Sequence, residues 1–273
     1  MMRILQATCV LLIVFGLDRF YKKELQGFSA SNIFLCKQIE VPSYLGTKLS
    51  QEEIQILLSQ PFYFLSSGHQ CYVFLSKDQK TVMKLLQADK IKTPWWACCF
   101  PWTEKSIAQR HKRLTRQQRD FTSYQIALEK LPEESGILYV QLQESTLHGT
   151  MDLYDALGTR HSIPISSICF LLQEKAEPVY PLLSTLPKEE LHFFLDRLWE
   201  ILQKQHSLNI FDVDLNLKDN IGILKGRPLL FDVGTLSYQN TSYEEATRLI
   251  LPWLELQAPE EALFFKKKII QNF

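Results

Sequence analysis

The 273-residue chain has no excess of either charge, because 30 lysine and arginine residues balance 30 aspartate and glutamate residues. A global basic field of the kind that attracts nucleic acid is therefore absent, and no nucleic-acid partner is expected. Low-complexity tracts are also absent, and 46% of the residues are hydrophobic and 12% aromatic, which excludes a disordered chain. The length suffices for one large lobe or two small lobes with cores of their own.

The six cysteines never occur with Cys-x-x-Cys spacing, so neither a zinc site nor a thioredoxin-like motif is expected. Cys98 and Cys99 are adjacent in the sequence. We expect both to be buried by packing rather than used in redox chemistry.

The N-terminus lacks a small-x-small cleavage site after its apolar run at residues 4–17. The run is about as long as the apolar region of a signal peptide and short for a full membrane span. Residues 1–26 are therefore interpreted as a signal-like or anchoring segment. An uncleaved anchor is favoured, and a secreted signal and a buried first helix are the alternatives. More cationic residues follow the run than precede it, which predicts a folded body facing the cytoplasm, where ATP is present.

The first half of the folded body is predicted to be rich in strands. A linker at 27–44 and a short helix at 48–59 come first, and Ser50 and Glu53 form a capping box for that helix. A basic helix at 103–131 interrupts the strands that follow. Strands are expected at 62–66, 71–75, 81–86, 136–143, 148–154 and 167–173.

The second half is predicted to be helical around an acidic loop. Residues 187–205 form an amphipathic helix with acidic residues at its start, and residues 242–256 form a helix interrupted by Pro252. The predicted organisation therefore has four parts: the N-terminal segment 1–26, a linker and helix at 27–60, a β-rich lobe at 61–176 and a helical lobe at 177–273.

The segment 93–102 (TPWWACCFPW) contains three tryptophans and a phenylalanine together with two prolines, which is not the composition of a solvated loop. We expect it either to cap a core or to lie on a membrane or partner surface. The basic residues that follow, between 105 and 119, form either a solvated helix face or a face against anionic lipid headgroups.

Three carboxylates and one amide occur in a strand–loop–strand pattern at residues 209–236. They are Asp212, Asp214, Asn220 and Asp232. Side chains at the ends of paired strands converge, and carboxylate and amide oxygens are the ligands that a nucleotide-bound Mg²⁺ requires. The competing interpretation is a β-hairpin with acidic turns.

Two motifs upstream of this segment resemble phosphate-binding motifs. Residues 65–74 (LSSGHQCYVF) are similar to the glycine-rich loop GxGxxGxV, of which they keep Gly68 and Val73. Residues 82–84 (VMK) are similar to the strand VAIK, whose lysine, here Lys84, neutralises the α- and β-phosphates of ATP.

The acidic segment carries the strongest likeness. Its sequence FDVD followed by Asn220 is similar to the catalytic loop HRDxxxxN, and residues 230–234 (LFDVG) are similar to the DFG segment. Together with the order of strands and helices, these motifs resemble the protein-kinase-like fold, which includes small-molecule and lipid kinases. The resemblance covers residues 62–238.

This resemblance implies a two-lobed α+β fold, with a β-rich N-lobe and a short helical C-lobe, preceded by the N-terminal apolar helix. It also implies ATP and Mg²⁺ as nucleotide and cation. Gly68 and Lys84 would contact the phosphates. Asp120 would pair with Lys84, and Glu129 is the second candidate for that pairing.

The resemblance also implies roles for the acidic segment. Asp214 would orient the acceptor hydroxyl and accept its proton. Asp212 is the alternative base, because Asp214 lies one residue further from Asn220 than the family spacing. Asn220 and Asp232 would hold Mg²⁺ against the phosphates.

Only 39 residues follow Gly234, so the platform on which a protein kinase binds its peptide substrate is missing. A small molecule, a lipid or a sugar near the membrane is therefore the expected acceptor. Ser66 and Cys71 replace two loop glycines, which keeps open a pseudokinase-like module that binds a nucleotide or a partner. The third interpretation is a membrane-anchored interaction protein with a chance resemblance.

Overall fold

An eight-stranded sheet organises the first two thirds of the protein. It has the strand order β1-β5-β8-β4-β3-β2-β6-β7, and all neighbours are antiparallel except β2 and β6. The computed structural model describes residues 15–16, 19–239 and 242–271. The strands are β1 (Leu45–Thr47), β2 (Phe62–Ser67), β3 (Cys71–Ser76), β4 (Thr81–Leu86), β5 (Ile137–Gln141), β6 (Thr150–Tyr154), β7 (Arg160–Pro164), β8 (Phe170–Glu174), β9 (Glu177–Pro178), β10 (Ile210–Asp212), β11 (Ile221–Leu224), β12 (Arg227–Leu230) and β13 (Leu236–Tyr238).

Local sequence explains where the helices begin. Ser50 and Glu53 form the expected capping box at α1, and the Thr103 hydroxyl accepts the Ser106 N–H at the start of α4. The fold class is α+β, because these helices pack with a largely antiparallel sheet. The helices are α1 (Gln51–Ser59), α2 (Ala88–Ile91), α3 (Trp95–Cys99), α4 (Glu104–Lys130), α5 (Pro132–Ser135), α6 (Lys188–Ser207), α7 (Tyr243–Arg248), α8 (Leu251–Gln257) and α9 (Pro259–Gln271).

The two faces of the sheet bury two different cores. One face packs with α4, α6 and the C-terminal helices in a core that we call the shared core, which includes Phe34, Tyr124, Leu171, Leu198 and Phe265. The other face packs with α1 and the start of the described chain in the outer core, which includes Phe28, Leu58, Phe62, Tyr72 and Met83. Both faces of the central strands are therefore dry, and burial of this apolar surface stabilises the fold.

A tight hairpin joins β11 to β12. Its turn residues Lys225 and Gly226 both have positive φ, 52° and 79°, as a two-residue hairpin turn requires. Strand β9 pairs with the other edge of β11, and a Cβ on Gly222 would lie only 2.8 Å from the Glu177 carbonyl oxygen. The chain leaving the large sheet is thereby held against this hairpin.

Most predicted elements are confirmed. The strands expected at 62–66, 71–75 and 81–86 correspond to β2, β3 and β4, and the basic helix corresponds to α4. The predicted apolar face of α6 is buried along its whole length. Alternation and helical periodicity were sufficient for these elements because each buries a regular face.

Other expectations were wrong. The segment 27–44 is not a free linker, because Phe28, Ile33 and Phe34 are buried in the two cores. Residues 242–256 contain two helices rather than one, and the additional helix α9 follows. Cys98 and Cys99 are exposed rather than buried, because Ala97 is the residue of α3 that faces inward.

The apolar run at 4–17 lies outside the described residues, except for Phe15 and Gly16, which are helical. Residues 19–24 are also helical and exposed. Among the helices that the structure describes, none combines the length and the apolar character needed to cross a membrane.

Candidate functional site

Lys84 is the partly exposed residue of a strand whose other side chains are all buried. Strand β4 lies in the middle of the large sheet, with Val73 of β3 on one side of Lys84 and Leu171 of β8 on the other. The Lys84 ammonium group donates a hydrogen bond to the backbone carbonyl of Phe231. The lysine therefore crosses from the large sheet to the residue immediately before Asp232.

The β11–β12 hairpin brings Asn220 and Asp232 together. Asn220 precedes β11 and Asp232 follows β12 by two residues, so both lie at the open end of the hairpin, where the Phe231 N–H donates to the Asn220 carbonyl at 3.1 Å. The buried Asn220 amide donates to the backbone carbonyl of Asp214. Its side-chain oxygen accepts no hydrogen bond within the described ranges and can therefore bind another ligand. The Asp232 carboxylate is exposed and, among the residues that the structure describes, accepts only the Gly234 N–H, at 3.4 Å.

Asp212 and Asp214 occupy different environments. Asp214 is exposed, whereas Asp212 is buried and accepts the Thr235 hydroxyl and, at 3.0 Å, the Asp214 N–H. Burial raises the pKa of Asp212 to about 6, against the effect of these two hydrogen bonds, and the negative charges of Asp232 and Asp214 raise it further. Asp214 can thus meet a substrate, while Asp212 joins the loop to the segment after Asp232.

Helix α4 holds the segment that follows Asp232. The buried Ser123 hydroxyl donates to the Val233 carbonyl and accepts the Leu236 N–H at 2.7 Å. One helix side chain therefore fixes the backbone on both sides of Gly234.

The expected pairing of Lys84 with Asp120 is not formed. Asp120 is buried at the inner face of α4, and its carboxylate pairs with Arg119 at 2.8 Å and with Arg116 at 3.7 Å. Burial raises the pKa of Asp120, the two arginines oppose this effect, and the Asp232 charge adds to it. Asp120 is therefore close to the site but neutralised by its own helix. Glu129, the second candidate, is exposed and accepts a hydrogen bond from Gln125.

Gly68 lies in the β2–β3 turn, where its N–H donates to the Cys71 carbonyl at 2.9 Å. A Cβ at this position would meet only that carbonyl, at 3.6 Å, so the turn itself does not require glycine. The neighbouring Gln70 side chain reaches the Asp232 segment, since a Cβ on Gly234 would lie 3.4 Å from its Oε1 atom. The β2–β3 turn therefore lies next to the Asp232 segment. Its backbone at position 68 could accommodate a residue other than glycine.

The donor atoms suit one magnesium ion bound together with phosphate. Asn220 and Asp232 offer one amide oxygen and one carboxylate, and Mg²⁺ typically takes one or two carboxylates while phosphates and water complete its octahedron. Within the described residues, no group of three or more His, Cys, Asp or Glu side chains could hold a metal by itself. A surface cavity of about 640 Å³ lies elsewhere, beside α5, α6 and the β11–β12 turn, and none of these site residues lines it.

Sequence reasoning missed three residues of this arrangement: Gln70, Ser123 and Thr235. Gln70 lies near Gly234, Ser123 binds Val233 and Thr235 binds Asp212, so each contact joins segments that are distant in sequence. None of the three residues belongs to a recognisable motif. A polar residue on the apolar face of α4 was the available signal for Ser123. Comparison with family models gives no match for this chain, and comparison with curated proteins gives none either.

Proposed function

We propose that this chain is a kinase-like protein that binds ATP with Mg²⁺ and phosphorylates a small molecule, a lipid or a sugar near a membrane. The observation that carries the proposal is a pair of hydrogen bonds that bring the candidate residues into one region of the fold. Lys84 donates to the carbonyl of Phe231, which precedes Asp232, and Asn220 donates to the carbonyl of Asp214. These residues come from the large sheet and from the hairpin region, which are far apart in sequence. An acidic hairpin turn alone does not account for a lysine from the central strand.

The arrangement of elements supports the same proposal. Strands β2, β3, β4, β8 and β5 are adjacent in that order, and the long helix α4 lies between β4 and β5 in sequence. The sequence resemblance implies a β-rich N-lobe followed by a helical C-lobe. This order agrees with the observed order of strands and helices. Strands β6 and β7 extend the sheet beyond β2, and residues 25–35 pack against the face that borders the outer core.

In the proposed reaction the acceptor hydroxyl oxygen attacks the γ-phosphorus of ATP, and the bond from that phosphorus to the bridging oxygen of ADP breaks. Asp214 accepts the hydroxyl proton. Lys84 neutralises phosphate oxygens. Asn220 and Asp232 would hold Mg²⁺, which would supply charge stabilisation at the phosphates. Such catalysis depends on positioning and charge neutralisation, and both can be supplied by these four side chains.

The test is thermal unfolding of the full-length chain with ATP, with and without Mg²⁺, combined with a measurement of ATP turnover. A ligand at 100 times its Kd stabilises the folded state by about 2.7 kcal/mol. For a protein of this size that is a rise in Tm of roughly 5–10 °C. Asp232→Asn should abolish both the Mg²⁺-dependent rise and the turnover.

Asp219→Asn is the matched control, because Asp219 is exposed in the same loop and only its backbone N–H makes a loop contact, with Asn216 at 2.8 Å. This variant should keep the wild-type rise in Tm. No rise in the wild-type protein with ATP and Mg²⁺ would refute the proposal and favour an interaction protein whose resemblance to kinases is accidental.

A nucleotide-binding module without turnover is the second candidate. Three observations favour it: Asp120 pairs with arginines instead of Lys84, and Ser66 and Cys71 stand where phosphate-binding loops carry glycine. The two candidates differ in one result. A rise in Tm with ATP and Mg²⁺, but no transfer of phosphate to any acceptor or water, identifies the module.

The proposed membrane location rests on the apolar run at 4–17 and on the cationic residues after it. An uncleaved anchor predicts that the full-length chain stays with the membrane fraction in alkaline carbonate. A folded body facing the cytoplasm predicts that it resists protease added outside intact cells. Release by carbonate would contradict the anchor without affecting the nucleotide site.

A further inference from the structure

A group of large apolar side chains is exposed around helix α3. Trp95, Phe100 and Trp102 are 76%, 53% and 72% exposed, and Ile107 on the first turns of α4 is 57% exposed. We call these four residues the aromatic surface. Folded proteins rarely leave such a contiguous set uncovered unless it contacts a partner or a membrane.

The aromatic surface is held in a fixed shape. Ala97 anchors α3 in the interior, and the rings of Phe100 and Trp102 meet edge to face at a centroid distance of 6.0 Å. The Lys105 ammonium group lies 5.6 Å from the centre of the Trp96 ring, and the Thr103 cap fixes the turn between α3 and α4. The exposed aromatic side chains are thus presented by ordered structure.

The segment that carries the aromatic surface has an excess of positive charge. Residues 89–113 contain six lysine and arginine residues and only two acidic residues. Arg110 is paired with Glu40 at 3.0 Å. Within the described part of the chain, Lys105 and Lys112 are exposed and form no ion pair, so their charges are available to an anionic surface.

The start of the folded body lies beside the same region. The Tyr72 hydroxyl donates to the Gly27 carbonyl at 2.9 Å, and the Asn32 amide donates both to that hydroxyl and to Asp89, each at 2.8 Å. Asp89 belongs to α2, which leads directly into α3. The chain therefore enters the fold close to the element that carries the aromatic surface, and the residues before that point include the apolar run at 4–17.

We propose that the aromatic surface docks on the headgroup region of an anionic phospholipid bilayer. Tryptophan and phenylalanine partition into the membrane–water interface, and nearby lysines bind the negative surface of anionic lipids. Charge complementarity and proximity to the chain entry select a bilayer as the occupant. This docking does not depend on nucleotide binding, so the two proposals can fail separately.

The test uses full-length protein reconstituted in vesicles that contain phosphatidylserine and phosphatidylcholine with brominated acyl chains. Bromine quenches tryptophan fluorescence only at short range, so quenching reports insertion of the surface even though the N-terminal segment attaches every variant. We expect strong quenching in the wild-type protein. Replacing Trp95 and Trp102 by phenylalanine should remove most of it, because these are the two exposed tryptophans. Trp96 is half-buried under Lys105, Trp253 packs against the shared core and Trp199 is buried.

The charge requirement is tested separately with Lys105→Gln/Lys112→Gln. This variant should lose most of the quenching, as should wild-type protein on vesicles of phosphatidylcholine alone. The matched control is Lys77→Gln/Lys130→Gln, which removes two exposed lysines elsewhere and should behave like wild type.

Quenching that persists after removal of Trp95 and Trp102, or that is equal on neutral and anionic vesicles, overturns the proposal. The proposal is also overturned if the tryptophans are not quenched and the protein is dimeric in solution. The aromatic surface would then be an interface with a second copy of the chain. The substitutions are all on exposed side chains, and unchanged thermal unfolding verifies that each variant is folded.

Discussion

At the scale of single residues, the site concentrates negative charge around a buried carboxylate. Asp212 is buried, and Asp214 and Asp232 both add negative charge to its surroundings. Its Oδ1 atom is bound by Thr235 and the Asp214 N–H, whereas Oδ2 is buried without a hydrogen-bond partner. An ionised carboxylate with one unsatisfied buried oxygen destabilises the fold. Asp212 therefore makes stability depend on pH.

We predict that Asp212→Asn changes this pH dependence. The folded pKa of about 6 exceeds that of an unfolded aspartate, about 3.9, so the proton is bound more tightly in the folded state. Below about pH 4, Asp212 is protonated in both states and does not lower the free energy of unfolding. Above about pH 6 its ionisation in the folded state lowers the free energy of unfolding by about 3 kcal/mol. Relative to wild type, the variant should gain up to this amount between pH 4 and pH 7. Urea unfolding in metal-free buffer measures the difference.

Asp219→Asn again serves as control, since it removes an exposed carboxylate from the same loop. Its unfolding free energy should follow wild type across the pH range. A parallel Asp212→Asn curve would show that the pKa of Asp212 is the same in the folded and unfolded states and that its burial has no such effect.

Individual roles were only partly predictable from the sequence. Lys84 was identifiable because residues 82–84 (VMK) resemble the VAIK strand and follow the loop that contains Gly68. The partner of Asp120 could not be predicted from the sequence. Arg119 and Arg116 compete with Lys84 for this carboxylate, and only side-chain geometry decides between them. Sequence spacing specifies which residues share a helix face but not which of several opposite charges will pair.

At the scale of secondary-structure elements, α4 connects the large sheet to the candidate site. Its C-terminal half carries Phe121, Tyr124 and Leu128 into the shared core, and Ser123 binds the backbone beside Asp232. The position of Asp232 therefore depends on a helix that supplies no ligand itself.

We predict that Ser123→Ala lowers the free energy of unfolding by about 1–3 kcal/mol, because the Val233 carbonyl and the Leu236 N–H lose a buried partner. It should also reduce the rise in Tm with ATP and Mg²⁺, since the Asp232 segment is no longer fixed. Urea unfolding and thermal shift measure the two effects.

Ser59→Ala is the matched control, because the exposed Ser59 hydroxyl donates to the Ile56 carbonyl at the end of α1 and contacts neither core. It should leave both quantities close to wild type. A Ser123→Ala protein with full stability would contradict the bracing role of α4.

Elements with a regular buried face were predictable, and elements that depend on distant partners were not. Strand β7 was missed because its side chains alternate between half-exposed and exposed, which leaves no apolar pattern. The segment 27–44 shows no periodicity in its sequence and is therefore predicted as a linker. In the structure the backbone of Phe34 forms hydrogen bonds with Leu86 and Cys169. Such irregular segments are ordered by tertiary hydrogen bonds rather than by local propensity.

At the scale of the whole molecule, one core crosses the predicted lobe boundary at residue 176. The shared core joins Leu171 of the sheet to Leu198 of α6 and to Phe265 of α9. The aromatic rings of Trp199 and Phe265 also meet edge to face, with centroids 6.3 Å apart. The proposed nucleotide site therefore lies between two halves that are stabilised by the same apolar contacts.

This continuity predicts that the halves unfold together. Phe265→Ala removes a fully buried ring and should cost about 3–5 kcal/mol. Hydrogen exchange measured by mass spectrometry should then accelerate by the same factor in peptides from β3 and β4 as in peptides from α6, because both exchange through one cooperative opening. Phe193→Ala, which truncates an exposed ring on α6, is the control and should leave exchange nearly unchanged. Faster exchange in α6 with wild-type protection in β3 and β4 would mean that the two halves unfold independently. The hydrogen bonds of Lys84 and Ser123, rather than a common core, would then hold the halves together at the proposed site.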